Sequence, residues 1–257
     1  MNKNSTRILA VAIAAAVLST AFAASQLAGG LAVQPVQATG VENKSDNPQE
    51  ENSREHPKHV PTFAASNNLD QEKVTELRFA LHDLWVEHVV WTRQYIVAAA
   101  ADGADTSFAA ERLLQNQEQI GDAIKPFYGD EAGNQLTALL KDHILVAVDL
   151  LETAKAGDAE KVAEIEEKWY DNGDDIATFL SEANPNWTKE DMVSMINEHL
   201  ALTKTEAVAR LTGDYATDVE TFDAVYVHAV TMADQFTIGI VKQFEDRFEV
   251  DRNGERN

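Results

Sequence analysis

The chain has 257 residues, 43 acidic and 21 basic, giving a formal charge of −22, and it contains no cysteine. A surface of that sign repels nucleic acid and anionic membranes. The missing thiols exclude disulfide staples, thiolate metal sites, cysteine nucleophiles and a lipidated cysteine anchor, so packing alone must hold the core together.

In chain order, Lys3 and Arg7 precede an apolar run from Ile8 to Leu18, and Ala21-Phe22-Ala23 offers a small-x-small cleavage site. Residues 1–24 therefore read as a secretory signal peptide, and the protein as exported: secreted, periplasmic or cell-wall associated. An uncleaved N-terminal anchor is the rival, because apolar character persists to Ala24 and resumes at Leu27. No later segment has the ~18 uninterrupted apolar residues of a membrane span. The leader carries two basic residues and no acid, so its removal leaves the rest still more acidic. A solvated acidic surface is the simplest account of that excess; a cation-rich partner or a salty habitat would also produce it.

Residues 25–66 are rich in Gln, Asn, Ser, Glu and Pro and cannot bury enough apolar surface to offset chain entropy, which predicts a disordered linker. The segment His56-Pro57-Lys58-His59 lies within it and suggests no role beyond loose metal contact. A helical domain is expected over 67–248, with a disordered tail at 249–257.

From Asp70 onward apolar residues recur at three- and four-residue spacing. The stripe Leu77, Leu81, Leu84, His88, Trp91, Tyr95 and Ala98 is the first; others run through Phe108–Ile124, Leu136–Ala154, Val162–Leu180, Met192–Leu211 and Val219–Phe236. No window alternates long enough for a strand. An all-α bundle of about six helices follows. Gly157-Asp158 and Gly213-Asp214 each supply a left-handed stop and an N-cap, and Gly103-Ala104-Asp105 resembles them. The breaks Pro126-Phe127-Tyr128-Gly129-Asp130 and Asn184-Pro185-Asn186-Trp187-Thr188 are longer, so the helices group into three hairpins.

An offset of 56 superposes Asn116 on Asn172, Ile120 on Ile176, Asp142-His143 on Glu198-His199 and Gly157-Asp158 on Gly213-Asp214. An offset of 55 places Glu87-His88 on Asp142-His143. Each copy of about 55 residues thus carries an acid-His pair on its first helix and Asn116, Asn172 or His228 on its second. The histidines occupy core stripes, so a bundle would turn His88, His143, His199 and His228 inward with the two asparagines.

Two solutions are open for such buried polar groups. Each ring could bond a neighbouring Asn, carboxylate or hydroxyl, the recurrence recording duplication of one hairpin. Alternatively the rings converge on a divalent or iron-group metal ion, with Glu87, Asp142 and Glu198 as further ligands or as groups that orient the imidazoles. Ferritin-like sites need Glu-x-x-His and hemerythrin-like sites need His-x-x-x-His/Glu, and both spacings are missing. No phosphate-cradling glycine loop, Gly-x-Ser-x-Gly elbow or His-Glu-x-x-His is present. Acid–base work by Glu87 with His88, or by Asp234 near His228, is conceivable, but nothing specifies a substrate. Trp85, Trp91, Trp169 and Trp187 read as packing residues.

Several motifs resemble a family of uncharacterised all-helical bacterial proteins, over about Leu77–Phe248. They are Glu87-His88-x-x-Trp91-Thr92-Arg93, Arg112-Leu113-Leu114-x-Asn116, Pro126-Phe127-Tyr128-Gly129, Asn184-Pro185-x-Trp187, His199-Leu200, Met232-Ala233-Asp234 and Gly239-Ile240-Val241-x-Gln243-Phe244. Members often carry the name acetylglutamate kinase. That name implies an α/β sandwich with glycine-rich nucleotide loops, which this sequence does not support. The resemblance implies a helical fold and no established activity or site; Glu245 stands where the family pattern has proline.

The expectation is an exported helical bundle without catalytic activity that binds a metal ion or small ligand through its buried histidines. The alternative is a structural or partner-binding bundle with a His/Asn core layer; an enzyme ranks third.

Overall fold

A computed structural model describes residues 68–250. The expected signal peptide, the linker, His56, His59 and the last seven residues lie outside the described residues. Five α-helices follow one another: α1 Gln71–Ala100, α2 Thr106–Ala156, α3 Ala159–Ala183, α4 Lys189–Thr212 and α5 Tyr215–Gln243, then a 3-10 turn, Glu245–Arg247. One isolated antiparallel bridge, Leu69 to Glu249, is the only extended pairing among the described residues. The domain is all-α.

The helix boundaries have local causes. Asp70 accepts from the Glu72 and Lys73 amides, Asp158 from Lys161, Thr188 from Asp191 and Asp214 from Thr217, each satisfying N–H groups that a helix start leaves without partners. Gly157 and Gly213 close α2 and α4 in the left-handed conformation, at φ 82 and 80. The turn after α1 departs from expectation. Asp102, not Gly103, takes the left-handed position, at φ 54, and the Asp105 side chain makes no cap; the Thr106 hydroxyl donates to the Gly103 carbonyl instead.

The helix count also differs from the six stripes. The second and third stripes both fall within α2, because the helix runs on through Pro126 and is interrupted only at Gly129, at φ 86, ψ 169. That conformation is essentially open to glycine alone, and one such residue replaces the expected loop. The chain folds back there: a methyl built on Gly121 would lie 2.6 Å from the Gly133 carbonyl oxygen, so the two limbs of α2 touch backbone to backbone.

α1 packs against α2 and α5, α2 against α3, α3 against α4, and α4 against α5, so the bundle closes on itself. Its ends are pinned together: the Asp70 amide donates to the Phe248 carbonyl at 2.6 Å and the Val250 amide to Asn68 at 2.8 Å. Glu249 and Val250, expected in the tail, are therefore part of the domain. The main core includes Leu81, Trp85, Ile120, Leu140, Trp169, Ile196, Leu200 and Phe236.

At one end the two proline-containing breaks and the C-terminus share an aromatic hub. Tyr128 donates to Gln243 at 2.8 Å and accepts from Asn184 at 2.9 Å, while Gln243 donates to the Ala183 carbonyl at 3.0 Å. Trp187 packs against Phe236 and Tyr128 and donates to the Gln235 carbonyl at 3.2 Å. Gly239 leaves room for it, since a methyl there would sit 1.9 Å from the indole nitrogen.

α5 is long and apolar enough to cross a membrane by length and composition, yet more than half of its most apolar stretch is buried inside the domain. It carries Asp218, His228 and Asp234 as buried polar side chains.

Gly129→Ala isolates the backbone contribution, because an added methyl would meet nothing within 4 Å. The substitution should lower unfolding free energy by about 1–3 kcal/mol, read from urea transitions followed by circular dichroism.

Candidate functional site

The first-helix histidines sit one per packing face: His88 on α1, His143 on the second limb of α2, His199 on α4, with His228 on α5. All four are buried, at 3, 5, 6 and 9 % exposure. His199 lies at the centre, its ring 5.5 Å from His88, 6.5 Å from His143 and 6.3 Å from His228, centroid to centroid. Two tryptophans wall the group: Trp85 meets His88 edge-on at 5.6 Å, and Trp169 stacks on His143 at 5.4 Å.

Hydrogen-bond partners fix the proton on His143 and His228. Asn172 gives its amide hydrogens to the Leu139 carbonyl at 3.1 Å, so its oxygen faces His143 Nδ1 at 2.8 Å and accepts from it. His143 Nε2 is thereby left with a lone pair. His228 Nε2 faces the Met195 carbonyl at 2.9 Å and must donate, freeing Nδ1. Gln117 Nε2 lies 3.2 Å from His88 Nδ1, but its two hydrogens also face the Leu113 carbonyl at 2.8 Å and Asn116 Oδ1 at 3.1 Å, so this contact does not fix the His88 tautomer. His199 Nδ1 is buried without any partner.

Burial keeps His88, His143 and His199 neutral. It lowers His143 to about 4 and, helped by repulsion from His143, His88 to about 3. His199 is pushed well below the usual imidazole range, by burial first and then by the three other histidines.

The carboxylates stand elsewhere. Neighbouring residues on a helix point about 100° apart, so an acid beside an inward histidine turns toward solvent. Glu87 pairs with Arg112 at 2.6 Å and is nearly half exposed, and Asp142 and Glu198 are exposed. Only Glu198 reaches back to a ring, and it is His228, at 3.7 Å. Among the described residues, no three His, Asp or Glu side chains form a group that could hold a metal ion as they stand. Asp234, weighed as an acid–base partner of His228, instead pairs with Arg78 at 2.7 Å and His82 at 2.7 Å. Burial raises its carboxyl, but Arg78 and His82 together outweigh that and hold it below the usual range.

Two features escape a reading of the sequence. Gln117 sits where the next copy has Gly173, so no repeat points to it. The second is a buried charge cluster, in which Arg93 donates to Glu206 at 2.6 Å and Asp218 at 2.8 Å, and Arg210 reaches Asp218 at 3.1 Å. Burial pushes the Glu206 carboxyl up to about 7 against the pull of Arg93. In sequence these charges look like ordinary solvated residues.

The two groups bias stability in opposite directions. His88, His143 and His199 have folded pKa values below the unfolded value near 6.5, so unfolding takes up protons and stability should fall as pH drops from 6.5 toward 4. Glu206 is shifted upward, so its proton stabilises the fold at low pH and that contribution is lost as pH rises through 7. In metal-free protein, urea unfolding should therefore give higher stability at pH 7.5 than at pH 5, and Glu206→Gln should steepen that rise. No protein-family model, no curated protein and no solved structure matches the chain.

Proposed function

We propose that the protein is exported, with residues 1–24 removed and 25–66 serving as a tether, and that its bundle binds a transition-metal ion through imidazole nitrogens alone. The observation carrying this is His199: three other imidazoles surround it within 6.5 Å and its Nδ1 has no partner in the interior. His143 Nε2 and His228 Nδ1 add lone pairs, and neutral rings need release no proton to bind. Glu87, Asp142 and Glu198 drop out of the ligand set, which favours zinc, copper or nickel over calcium or magnesium. Two imidazoles on one tetrahedral ion have ring centres roughly 5 Å apart. His88 and His199, at 5.5 Å, need only a small rotation, whereas the pairs at 6.3 and 6.5 Å must close by more than an ångström.

The bundle is further proposed to be three copies of one hairpin, α2 contributing two limbs. Asn116 donates to the Leu84 carbonyl, Asn172 to Leu139 and His228 to Met195, at separations of 32, 33 and 33 residues. One hydrogen bond between a polar side chain and the preceding helix thus recurs in each copy, with His228 standing in for asparagine. Membership of the all-helical bacterial family rests on the motifs quoted above, and no catalytic activity is proposed.

A second reading has its own support. His88, His143 and His228 each have an internal partner, as a structural His/Asn layer requires. Metal-free protein separates the two. On adding Zn²⁺, Ni²⁺ or Cu²⁺ at pH 7, metal binding should raise the melting temperature in a saturable way, Co²⁺ should give visible d–d absorption, and His199→Ala should abolish both. A structural layer gives neither response in the parent protein.

A further inference from the structure

The outer surface of the bundle is unevenly apolar. Among the described residues nine large hydrophobic side chains are exposed, and six of them stand on α1 or α5: Phe79, Val90, Tyr215, Val219, Tyr226 and Val227. Those two helices hold about a third of the described residues, so apolar exposure is concentrated there. Single exposed hydrophobics are ordinary, but a contiguous set marks an interaction surface.

The way the two helices lie makes the set contiguous. Arg78 pairs with Asp234 at 2.7 Å and Arg93 with Asp218 at 2.8 Å, which runs α1 and α5 antiparallel and sets Val86 opposite Tyr226 and Val90 opposite Phe222. On α5, Tyr215, Val219, Phe222 and Tyr226 recur at four- and three-residue spacing along the side that borders α1. On α1, Phe79, Val86 and Val90 recur at seven and four along the side that borders α5. Beneath them Val89 packs with Val225 and Ala229, and the Arg93 guanidinium lies over the Phe222 ring at 4.6 Å. An apolar strip thus follows the outside of the α1/α5 seam, left open by the other described helices.

Acids edge this strip. Outward of it α1 presents Glu76 and Asp83 and α5 presents Glu220 and Asp223, all exposed and none in an ion pair among the described residues. The basic side chains of the seam, Arg78 and Arg93, are already committed to Asp234, Glu206 and Asp218. A second copy would bring acidic rim to acidic rim, and an anionic membrane would meet the same repulsion. A helix with an apolar stripe and basic flanks complements both features. We propose that this face docks a cationic amphipathic helix of another protein, its apolar side chains on the strip and its lysines or arginines against Glu76, Asp83, Glu220 and Asp223. The site uses none of the buried histidines and stands independently of the metal centre.

The probe is a fluorescein-labelled peptide of about 18 residues, about 27 Å long as a helix, with leucines at three- and four-residue spacing flanked by lysines. The full chain should bind it saturably and one to one, more weakly as salt is added. A peptide of the same composition, reordered so that no stripe forms, should bind about tenfold more weakly, and Tyr226→Ser should cost the striped peptide about as much while leaving the circular dichroism spectrum unchanged. Asp223→Lys should weaken the striped peptide about fivefold, whereas Asp175→Lys, the same change in net charge at an exposed position on α3, should not. Equal losses from the two charge reversals would mean that the peptide follows net charge alone, and overturn the proposal. Absent saturation, equal binding of the two peptides, or a dimer of the unliganded chain that Tyr226→Ser dissolves also overturns it, as does partition onto neutral phosphatidylcholine vesicles that the same substitution reverses.

Discussion

Imidazoles are expensive to seclude from water, and this bundle secludes four of them at one level. For His88, His143 and His199 desolvation removes the charged form, which leaves a neutral ring with one donor and one acceptor to satisfy in an interior that offers few partners. The surrounding sequence follows from that demand. Asn172 turns its oxygen to His143, Gln117 turns its amide to His88, and His228 takes a backbone carbonyl. Trp85 and Trp169 pack against His88 and His143, covering two of the rings with apolar surface. His199, flanked by the other three, is the member whose demand is not met.

The rest of the architecture keeps the layer from opening. The bundle is a closed circuit of helices, so none of the histidine-bearing faces is an outer one, and the circuit is fastened where residues 68–70 meet 248–250. The aromatic hub of Tyr128, Trp187 and Phe244 ties both proline-containing breaks to the C-terminus at one end. A further tie lies along α1, α4 and α5, where Arg93 bridges Glu206 and Asp218. A buried cluster of this kind adds little net stability against apolar packing, but it penalises every register in which a charge loses its partner.

The all-α class was legible because the 3.6-residue period and the glycine-aspartate punctuation agree, and Gly157 and Gly213 behave as the sequence implies. The inward turn of the four histidines was legible too, since each occupies an apolar stripe. The break between the second and third stripes was legible within Pro126–Asp130, but its length was not: nothing local says that one glycine at position 129 suffices to reverse the chain. The acid-His pairing misled, because adjacency in sequence places the carboxylate around the helix from the ring, as Glu87 and Asp142 illustrate. Arg93 and its partners lie 113 and 125 residues apart, beyond any local pattern.

The central claim is that His88, His143 and His199 are buried and neutral, that His143 and His228 are held in defined tautomers, and that His199 is left unsatisfied. Long-range proton–nitrogen spectra of the histidine rings, recorded on metal-free protein from pH 7.5 down to 5, address it directly. The account expects His143 protonated at Nδ1, His228 at Nε2, and no titration of His88, His143 or His199 above pH 5. Titration of any of those three near 6.5, or free exchange of His143 or His228 between tautomers, would contradict it.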